Sequence, residues 1–332
     1  MQLQTPVALP FASSPIGYED KILLMGSCFA ENIGAKLVAN KFRTDVNPFG
    51  VLYNPLSLKS ALNDLLQDRI FTADDLFEHQ GIYRSFSHHS SFSSDKKETT
   101  LHEINERAKQ SSAWLKSCTQ LIVTFGTAST YYLKENEIVV SNCHKLPESQ
   151  FIRKRVDVEI VVSEWCSLIN NLKCSNPDLK ILFTVSPIRH WRDGAHENQL
   201  NKATLLLAID KLVAEFDFCS YFAAYELVMD ELRDYRFYAE DMIHPSDQAV
   251  DYIWECFCES QISEESRLIM KEWIDLQKAL FHRPFHPQTE THKRFLEQNL
   301  TKLEQLSKKS PYFVLESEIT LIREQLQSFE SL

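Results

Sequence analysis

The chain has 332 residues, of which 44% are hydrophobic, enough for one large domain or for one domain with an appendage. Its formal net charge is −11, so no basic excess exists to bind a nucleic-acid backbone, and no nucleic-acid partner is expected. No run of about 18 apolar residues occurs, so neither a membrane span nor a membrane partner is predicted.

The first half of the chain alternates apolar runs with helical periods. KILLMG is predicted to be a strand. FAENIGAKLVANKF and SLKSALNDLLQ are predicted to be helices, because their apolar residues recur at i, i+3 and i+4. The polar stretch 72–97 is expected to be irregular. LHEINERAKQSSAWLKS is predicted to be a helix, TQLIVTFG a buried strand, and TYYLKENEIVVSN a hairpin that turns at Glu135–Glu137.

The second half continues the alternation. DVEIVVSEWCSLINNLK is predicted to be a helix with Asp157 as its N-cap, and LKILFTVSP a buried strand. NQLNKATLLLAIDKLVAEF is predicted to be a long helix and FCSYF a short strand. Two further helices are predicted at ELVMDELRD and SDQAVDYIWECFCES, the second capped by Ser246 or Asp247. Beyond about residue 261 the sequence is charged and helical, without a further strand pattern.

Near-continuous apolar strands separated by helices predict a mostly parallel sheet that is covered on both faces. We therefore expect one three-layer α/β/α domain over residues 1–260. A helical C-terminal extension over residues 261–332 is expected to pack on it. Ligands of such sheets bind where strands end and helices begin, so candidate site residues are sought at those junctions.

Two features favour a cytoplasmic location. The N-terminal segment MQLQTPVALPFASSPIGYEDK lacks a basic region and does not resemble a signal peptide. The eight cysteines are scattered without a CxxC pair, as expected of free thiols in a reducing compartment. No metal site and no cofactor are predicted, and the sequence leaves the oligomeric state open.

Two nucleophile-type side chains, Ser27 and Cys28, follow the first predicted strand in MGSCF. The simpler interpretation of a serine at this junction is the N-cap of the next helix. The functional alternative is a nucleophile, because free N–H groups and the dipole at a helix start stabilise an oxyanion. Cys28 is the rival nucleophile, since a helix N-terminus favours a thiolate, but it could equally be a packed residue.

A second cluster, YAEDMIHPSDQAV, places Asp241 and His244 in a loop before a helix. A histidine acts as a base when a carboxylate holds its other ring nitrogen. The alternatives are a solvated loop with a chance histidine and a metal pair, for which no further ligands lie at suitable spacing.

Together these motifs resemble the SGNH/GDSL hydrolase superfamily, and MGSCFAENIG is similar to the signature of one branch, the GSCFA family. NPFGVLYNP, TFGTASTYY, SNCHKLP, VSPIRHWRDG and DELRDYRFYAEDMIHPS are similar to that family's pattern too. The resemblance implies a flavodoxin-like sheet and a serine-dependent esterase. It assigns Ser27 as nucleophile, His244 as general base and Asp241 as the residue that orients it.

The resemblance also implies an oxyanion hole formed by Ser27, Gly50 and Gly126. Two blocks depart from the superfamily pattern. Gly26-Ser27-Cys28 lacks the usual aspartate before the serine, and Ala128 stands where an asparagine is usual. Losing one oxyanion donor costs roughly 100- to 1,000-fold in rate, so another donor is needed. Asn54 is the first candidate, followed by Asn142, and the available hydroxyl in these loops is that of Thr127.

Polar residues in SNCHK and SPIRH are expected at the ligand-facing end of the sheet: Asn142, His144, Arg189 and His190. They are candidates for binding an anionic or sugar-like substrate, although surface loops and salt bridges would explain them as well. The expected partner is a small-molecule or carbohydrate ester. Two alternatives remain, an acyltransferase with the same residues and a catalytically silent binding protein with the same fold.

Overall fold

The computed structural model of the chain describes residues 5–282 and 284–330. The start of the predicted N-terminal segment, residues 1–4, lies outside the described residues, as do Arg283 and residues 331–332 of the predicted extension. The described strands are β1 Lys21–Met25, β2 Arg43–Val46, β3 Phe77–His79, β4 Ile82–Arg84, β5 Gln120–Phe125, β6 Ser129–Leu133, β7 Val139–Val140, β8 Phe151–Arg155, β9 Lys180–Val185 and β10 Cys219–Phe222.

The described α-helices are α1 Cys28–Ala39, α2 Pro55–Leu66, α3 Lys97–Leu115, α4 Val158–Ser175, α5 Gly194–Glu215, α6 Ala224–Glu226, α7 Asp247–Gln261, α8 Glu264–Leu280, α9 Glu290–Lys309 and α10 Glu316–Glu330. A π-helix, Leu227–Glu231, continues α6. Short 3₁₀ helices occur at Ala73–Asp75, Ser90–Phe92, Glu148–Gln150, Trp191–Asp193 and Tyr235–Phe237.

A five-stranded sheet forms the centre of the molecule, in the order β10-β9-β5-β1-β2, and every neighbouring pair is parallel. Counted along the chain, its strands stand in the order 2-1-3-4-5, which is the flavodoxin-like arrangement. The predicted α/β fold with a mostly parallel sheet is therefore confirmed. A smaller antiparallel sheet, β7-β6-β8, contains the predicted hairpin, with Glu137 in its turn at a φ of +56°.

The side chains of β1 alternate between two cores. Leu23 and Met25 lie in a hydrophobic cluster with residues of α2, α3, α4 and α5. Ile22 and Leu24 lie in a second cluster with residues of α1, α7 and the C-terminal helices. This alternation follows from the two-residue period of a strand. Because both faces are covered, the strand must be apolar throughout, which explains why KILLM lacks a polar face.

The C-terminal helices extend the layer that contains α1. The indole N–H of Trp273 in α8 donates to the main-chain oxygen of Ala39 at 2.9 Å, and Lys41 forms an ion pair with Glu318 of α10 at 2.5 Å. Among the described residues, no strand follows β10. None of the helices in the described ranges is long and apolar enough to cross a membrane.

The sequence-based prediction missed several short polar elements. The strands β2, with the sequence RTDV, and β8, with FIRKR, were not predicted, because their charged residues give no apolar signal. The stretch 72–97, predicted to be irregular, contains the antiparallel pair β3–β4 and the start of α3. The helix predicted at ELVMDELRD is in fact α6 followed by the π-helix.

Gly26 ends β1 and sets the course of the main chain towards Ser27. Its φ is +153°, and a Cβ at this position would lie 2.6 Å from both the Cβ and the main-chain oxygen of Thr124 in β5. We expect Gly26→Ala to lower the free energy of unfolding by about 3 kcal/mol or more, because overpacking and backbone strain each cost about 1–3 kcal/mol. Denaturant unfolding followed by circular dichroism measures this loss.

Gly81→Ala is the matched control for that substitution. Gly81 also has a positive φ, +75°, but a Cβ there would meet no atom within 4 Å. Only the backbone strain remains, so a loss of about 1–2 kcal/mol is expected. Equal losses in the two variants would mean that the contact with Thr124 contributes nothing to the cost at Gly26.

Candidate active site

The topology of the sheet places the candidate site between β1 and β5. In a sheet of order 2-1-3-4-5, the strand order reverses at this pair, and ligands bind beyond the carboxyl ends of the strands there. Ser27 follows β1 and Thr127 follows β5, and both line one cavity of about 770 Å³. His244, from the loop that precedes α7, lines the same cavity. Residues far apart in the sequence therefore share one site.

Ser27 is the N-cap of α1, and its Oγ accepts a hydrogen bond from the main-chain N–H of Phe29 at 3.2 Å. Ser27 is only 1% exposed, although it lines the cavity. Among the described residues, no acceptor takes the N–H groups of Ser27 and Cys28. The start of α1 thus offers a hydroxyl and two N–H groups at one place, which is the arrangement that stabilises an oxyanion.

Cys28 is half-buried and lines the same cavity. Its Sγ lies 3.9 Å from the hydroxyl of Tyr53. Burial raises the pKa of Tyr53, and the neighbouring thiol raises it further, so this hydroxyl stays protonated. The thiol therefore faces a neutral group rather than a base.

Asp241 and His244 form a hydrogen-bonded pair. The His244 Nδ1 and the Asp241 Oδ2 are 2.5 Å apart. The other carboxylate oxygen of Asp241 accepts from the main-chain N–H groups of Ile243 and His244, both at 2.9 Å. These hydrogen bonds lower the pKa of Asp241 to about 2, so it remains an anion in the neutral range. The carboxylate holds Nδ1, which leaves Nε2 as the nitrogen that can exchange a proton.

His244 and Ser27 line the same cavity, but no hydrogen bond joins them among the described residues. Half of the His244 side chain is exposed, at 49%, and Met242 in the same loop has a φ of +58°. In ligand-free enzymes, catalytic hydrogen bonds are often long and shorten only when substrate binds.

Two predicted members of the oxyanion hole, Gly50 and Gly126, use their N–H groups within the fold. The N–H of Gly50 donates to the main-chain oxygen of Asn47 at 2.8 Å, inside a turn. The N–H of Gly126 donates to the main-chain oxygen of Tyr53 at 2.7 Å. Both donors are already engaged, and neither glycine lines the cavity. In this structure, the Gly50 N–H therefore closes a turn and the Gly126 N–H joins two loops, and neither is free to donate to a ligand.

Asn54 and Thr127 retain donors at the cavity. Asn54 is the N-cap of α2, and its amide donates to the Ser57 Oγ at 2.9 Å, which uses one of its two N–H groups. The Thr127 Oγ1 accepts from the Ser129 N–H at 3.1 Å, and its own hydroxyl hydrogen remains to donate. Ala128, at the position where an asparagine is usual, is 0% exposed and packs in the core.

Asn142 and His144 line the cavity but also support its wall. The Asn142 Oδ1 accepts from the main-chain N–H of His144 at 2.8 Å. The His144 Nε2 lies 2.7 Å from the main-chain oxygen of Ser85, and this nitrogen carries the proton because a carbonyl can only accept. Burial lowers the pKa of His144, so the ring stays neutral. These contacts make His144 a structural tie between its own loop and that of Ser85.

His190 and Arg189 lie beyond β9, on another part of the wall. Burial and the charge of Lys202 lower the pKa of His190 to about 4, so its ring is neutral near pH 7. This ring meets that of Tyr53 edge-on, with 5.5 Å between the centroids. The guanidinium of Arg189 donates to the Met229 Sδ at 3.2 Å.

Lys202 and Tyr53 are site-supporting residues that were not singled out in the sequence. Lys202 in α5 is 1% exposed, and its Nζ donates to the main-chain oxygens of Gly126 and Ser186 at 2.7 and 2.6 Å. It thereby joins the loops that follow β5 and β9. A signal existed for Lys202, because it follows Asn198 by four residues and precedes Leu205 by three, on the buried face of α5.

Within the described ranges, no group of three or more His, Cys, Asp or Glu side chains could hold a metal ion.

Comparison with known families gives two matches that together span most of the chain. The pattern of the GSCFA family matches residues 21–257, and that of the GSCFA domain protein, C-terminal domain, matches residues 273–328. No curated protein sequence matches. Among solved structures, an acetyl xylan esterase (Est2A) from the rumen bacterium Butyrivibrio proteoclasticus aligns with a TM-score of 0.37 and 11% identity. The alignment covers 74% of this chain and 65%, less than two thirds, of the esterase.

Proposed function

From the premise that this chain belongs to the GSCFA family, we propose that it is a serine-dependent esterase of the SGNH type. The observation that supports this most is the meeting of three groups at the switch point of the sheet. Ser27 caps α1 there, His244 lines the same cavity, and Asp241 holds the Nδ1 of His244. Nucleophile, base and orienting carboxylate are the groups that acyl transfer through a serine requires.

In this proposal, His244 Nε2 takes the proton of Ser27 Oγ while the oxygen attacks the ester carbonyl. The tetrahedral intermediate collapses, the alcohol leaves with the proton from His244, and the acyl group stays on Ser27. Water then attacks the acyl-enzyme with His244 again acting as base, which releases the acid and restores the serine. The step requires the loop of His244 to approach Ser27, and the exposure of His244 leaves room for that movement.

The oxyanion would be held by the N–H groups of Ser27 and Cys28, assisted by the amide of Asn54 or the hydroxyl of Thr127. All four residues line the cavity. A helix N-terminus supplies both the donors and the favourable end of the dipole. In this arrangement, the asparagine that Ala128 replaces is not needed, because α1 and α2 supply the donors.

The cavity also supports an acylated carbohydrate as the substrate. It carries the aromatic rings of Tyr131 and Trp191 among polar side chains. Trp191 is 50% exposed, which is unusual for a tryptophan. In ligand sites, a small number of polar groups fix the orientation of the ligand and apolar faces supply most of the contact area. This mixture suits a sugar ring.

A fluorophosphonate probe tests the proposed function directly. The probe modifies an activated serine, and digestion with mass spectrometry then locates the adduct. We expect a single modified residue, Ser27. Prior heat denaturation is the control, because an unfolded serine is not activated. A native, folded protein that remains unlabelled, or that is labelled only on another residue, would contradict the proposal.

A catalytically silent binding protein is the second candidate, and one observation favours it. The Ser27 Oγ is engaged with the Phe29 N–H and has no hydrogen bond to His244, while the N–H groups of Gly50 and Gly126 are used within the fold. Absence of probe labelling would support this function. If Ser27 is labelled, product analysis with an added alcohol separates a hydrolase from an acyltransferase, since only the latter forms a new ester.

A further inference from the structure

Arg189 lies on the wall between the active-site cavity and a second cavity of about 490 Å³. Trp191 and Ile243 belong to both walls as well, and Asp241 lines the second cavity. The π-helix Leu227–Glu231 contributes Val228 and Met229 to the second cavity, and π-helical turns occur frequently at functional sites. Arg189 therefore lines both cavities, together with Ile243 from the loop of the proposed catalytic pair.

The guanidinium of Arg189 has only weak partners. One terminal N–H donates to the Met229 Sδ at 3.2 Å, and a thioether is a poor acceptor. The Nε is enclosed and has no acceptor among the described residues. The ring of Trp191 lies 6.0 Å from the guanidinium. Burying a cation partly from water costs free energy unless an acceptor binds its N–H groups. The planar guanidinium of arginine, with its parallel N–H groups, fits a carboxylate best.

The carboxylates that line the two cavities do not supply that acceptor. Each is already paired within the described residues: Asp241 with His244, Asp193 with Arg153, Glu148 with Arg192 and Asp234 with Arg236. No ion pair to a described carboxylate involves Arg189 or Lys145, and both line the active-site cavity. The site thus carries two uncompensated cations, although the whole chain has a net charge of −11.

On the basis of the esterase function proposed above, we propose that the natural substrate is an anionic ester whose carboxylate binds Arg189. Lys145, an exposed residue that lines the same cavity, adds a positive potential. The carboxylate would stand near the Asp241–His244 loop, because Arg189, Asp241 and Ile243 line the same second cavity. A neutral ester lacks the group that compensates Arg189 and binds less tightly.

The test compares two probes of equal shape on a protein that cannot turn them over. The Ser27→Ala variant is titrated by calorimetry with 4-acetoxybenzoate, which carries a carboxylate, and with 4-acetoxybenzamide, which is neutral. We expect the anion to bind at least about 10-fold more tightly, because charge-assisted hydrogen bonds are roughly twice as strong as neutral ones. The double variant Ser27→Ala with Arg189→Gln is expected to bind both probes within about threefold of each other.

Two further double variants, again with Ser27→Ala, sharpen the result. Arg43→Gln removes the same charge from the start of β2, at the opposite edge of the sheet, and should leave the preference unchanged. Arg189→Lys keeps the positive charge but loses the two parallel N–H groups, so it should retain part of the preference for the anionic probe. Equal binding of the two probes, no measurable binding of either, or a preference that survives Arg189→Gln would each overturn the inference.

These outcomes are independent of probe labelling. Labelling of Ser27 without an anion preference leaves the esterase function and removes the anionic substrate. An anion preference in a protein whose Ser27 is never labelled shows an anion-binding cavity in a protein that is not an esterase.

Discussion

Replacing Ser27 by alanine is expected to lower kcat for an activated ester such as 4-nitrophenyl acetate by about 10⁴-fold or more, because removing a serine nucleophile leaves only oxyanion binding. The same variant should lose all labelling by the fluorophosphonate. Spectrophotometric release of 4-nitrophenolate measures the first effect, and intact-mass spectrometry measures the second.

The fold should survive this substitution. Loss of an N-cap side chain costs about 1 kcal/mol, and the main chain of Ser27 keeps its bonds to α1. Cys28→Ala is the matched control. It removes the rival nucleophile, which is the next residue after Ser27 and lines the same cavity. We expect it to retain labelling and most of the activity. If Cys28→Ala abolishes turnover while Ser27→Ala does not, the nucleophile is the thiol, and the roles assigned here must be exchanged.

Replacing His244 by glutamine is expected to lower kcat by about 10³-fold or more, because Ser27 then has no base to take its proton. Glutamine cannot accept a proton at neutral pH, but it is polar and fits an exposed loop, so the stability should change by less than about 0.5 kcal/mol. Labelling by the fluorophosphonate should slow by a similar factor, which tests the base without a natural substrate.

Asp241→Asn should cost less than His244→Gln. An asparagine Oδ1 can still accept the N–H groups of Ile243 and His244, so the turn persists, whereas the negative charge that stabilises the imidazolium is lost. Asp234→Asn is the control, because Asp234 forms a similar exposed turn with the Arg236 N–H. Full activity in His244→Gln would exclude the proposed base, and a larger loss in Asp241→Asn than in His244→Gln would contradict the order of their roles.

Much of the fold followed from local patterns. The inner strands β1, β5 and β9 were predicted, because a strand covered on both faces is apolar at nearly every position. Of the two edge strands, β10 was predicted from its aromatic residues, whereas β2 escaped prediction because RTDV gives no apolar signal. The π-helix also escaped, because its residues have the composition of an ordinary helix.

Within the site, the groups that were predicted well are those that interact with close neighbours in the sequence. Ser27 caps the helix that begins at the next residue, and Asp241 binds the side chain three residues later. Both interactions have the short spacing that a turn or a helix start imposes, so the sequence alone contains the geometry. The same holds for Asn54, which caps α2.

What the sequence could not determine is which donors and charges are already engaged. Gly126 is bound by Tyr53, more than 70 residues earlier, and by Lys202, 76 residues later. Whether Arg189 has a counter-charge depends equally on partners from other loops. The apolar and capping patterns by themselves determined the parallel sheet, the serine at its edge and the Asp–His turn. Only the tertiary structure decided which main-chain donors are already engaged and that Arg189 has no counter-charge among the described residues, because hydrogen bonds and ion pairs between loops depend on distances in space.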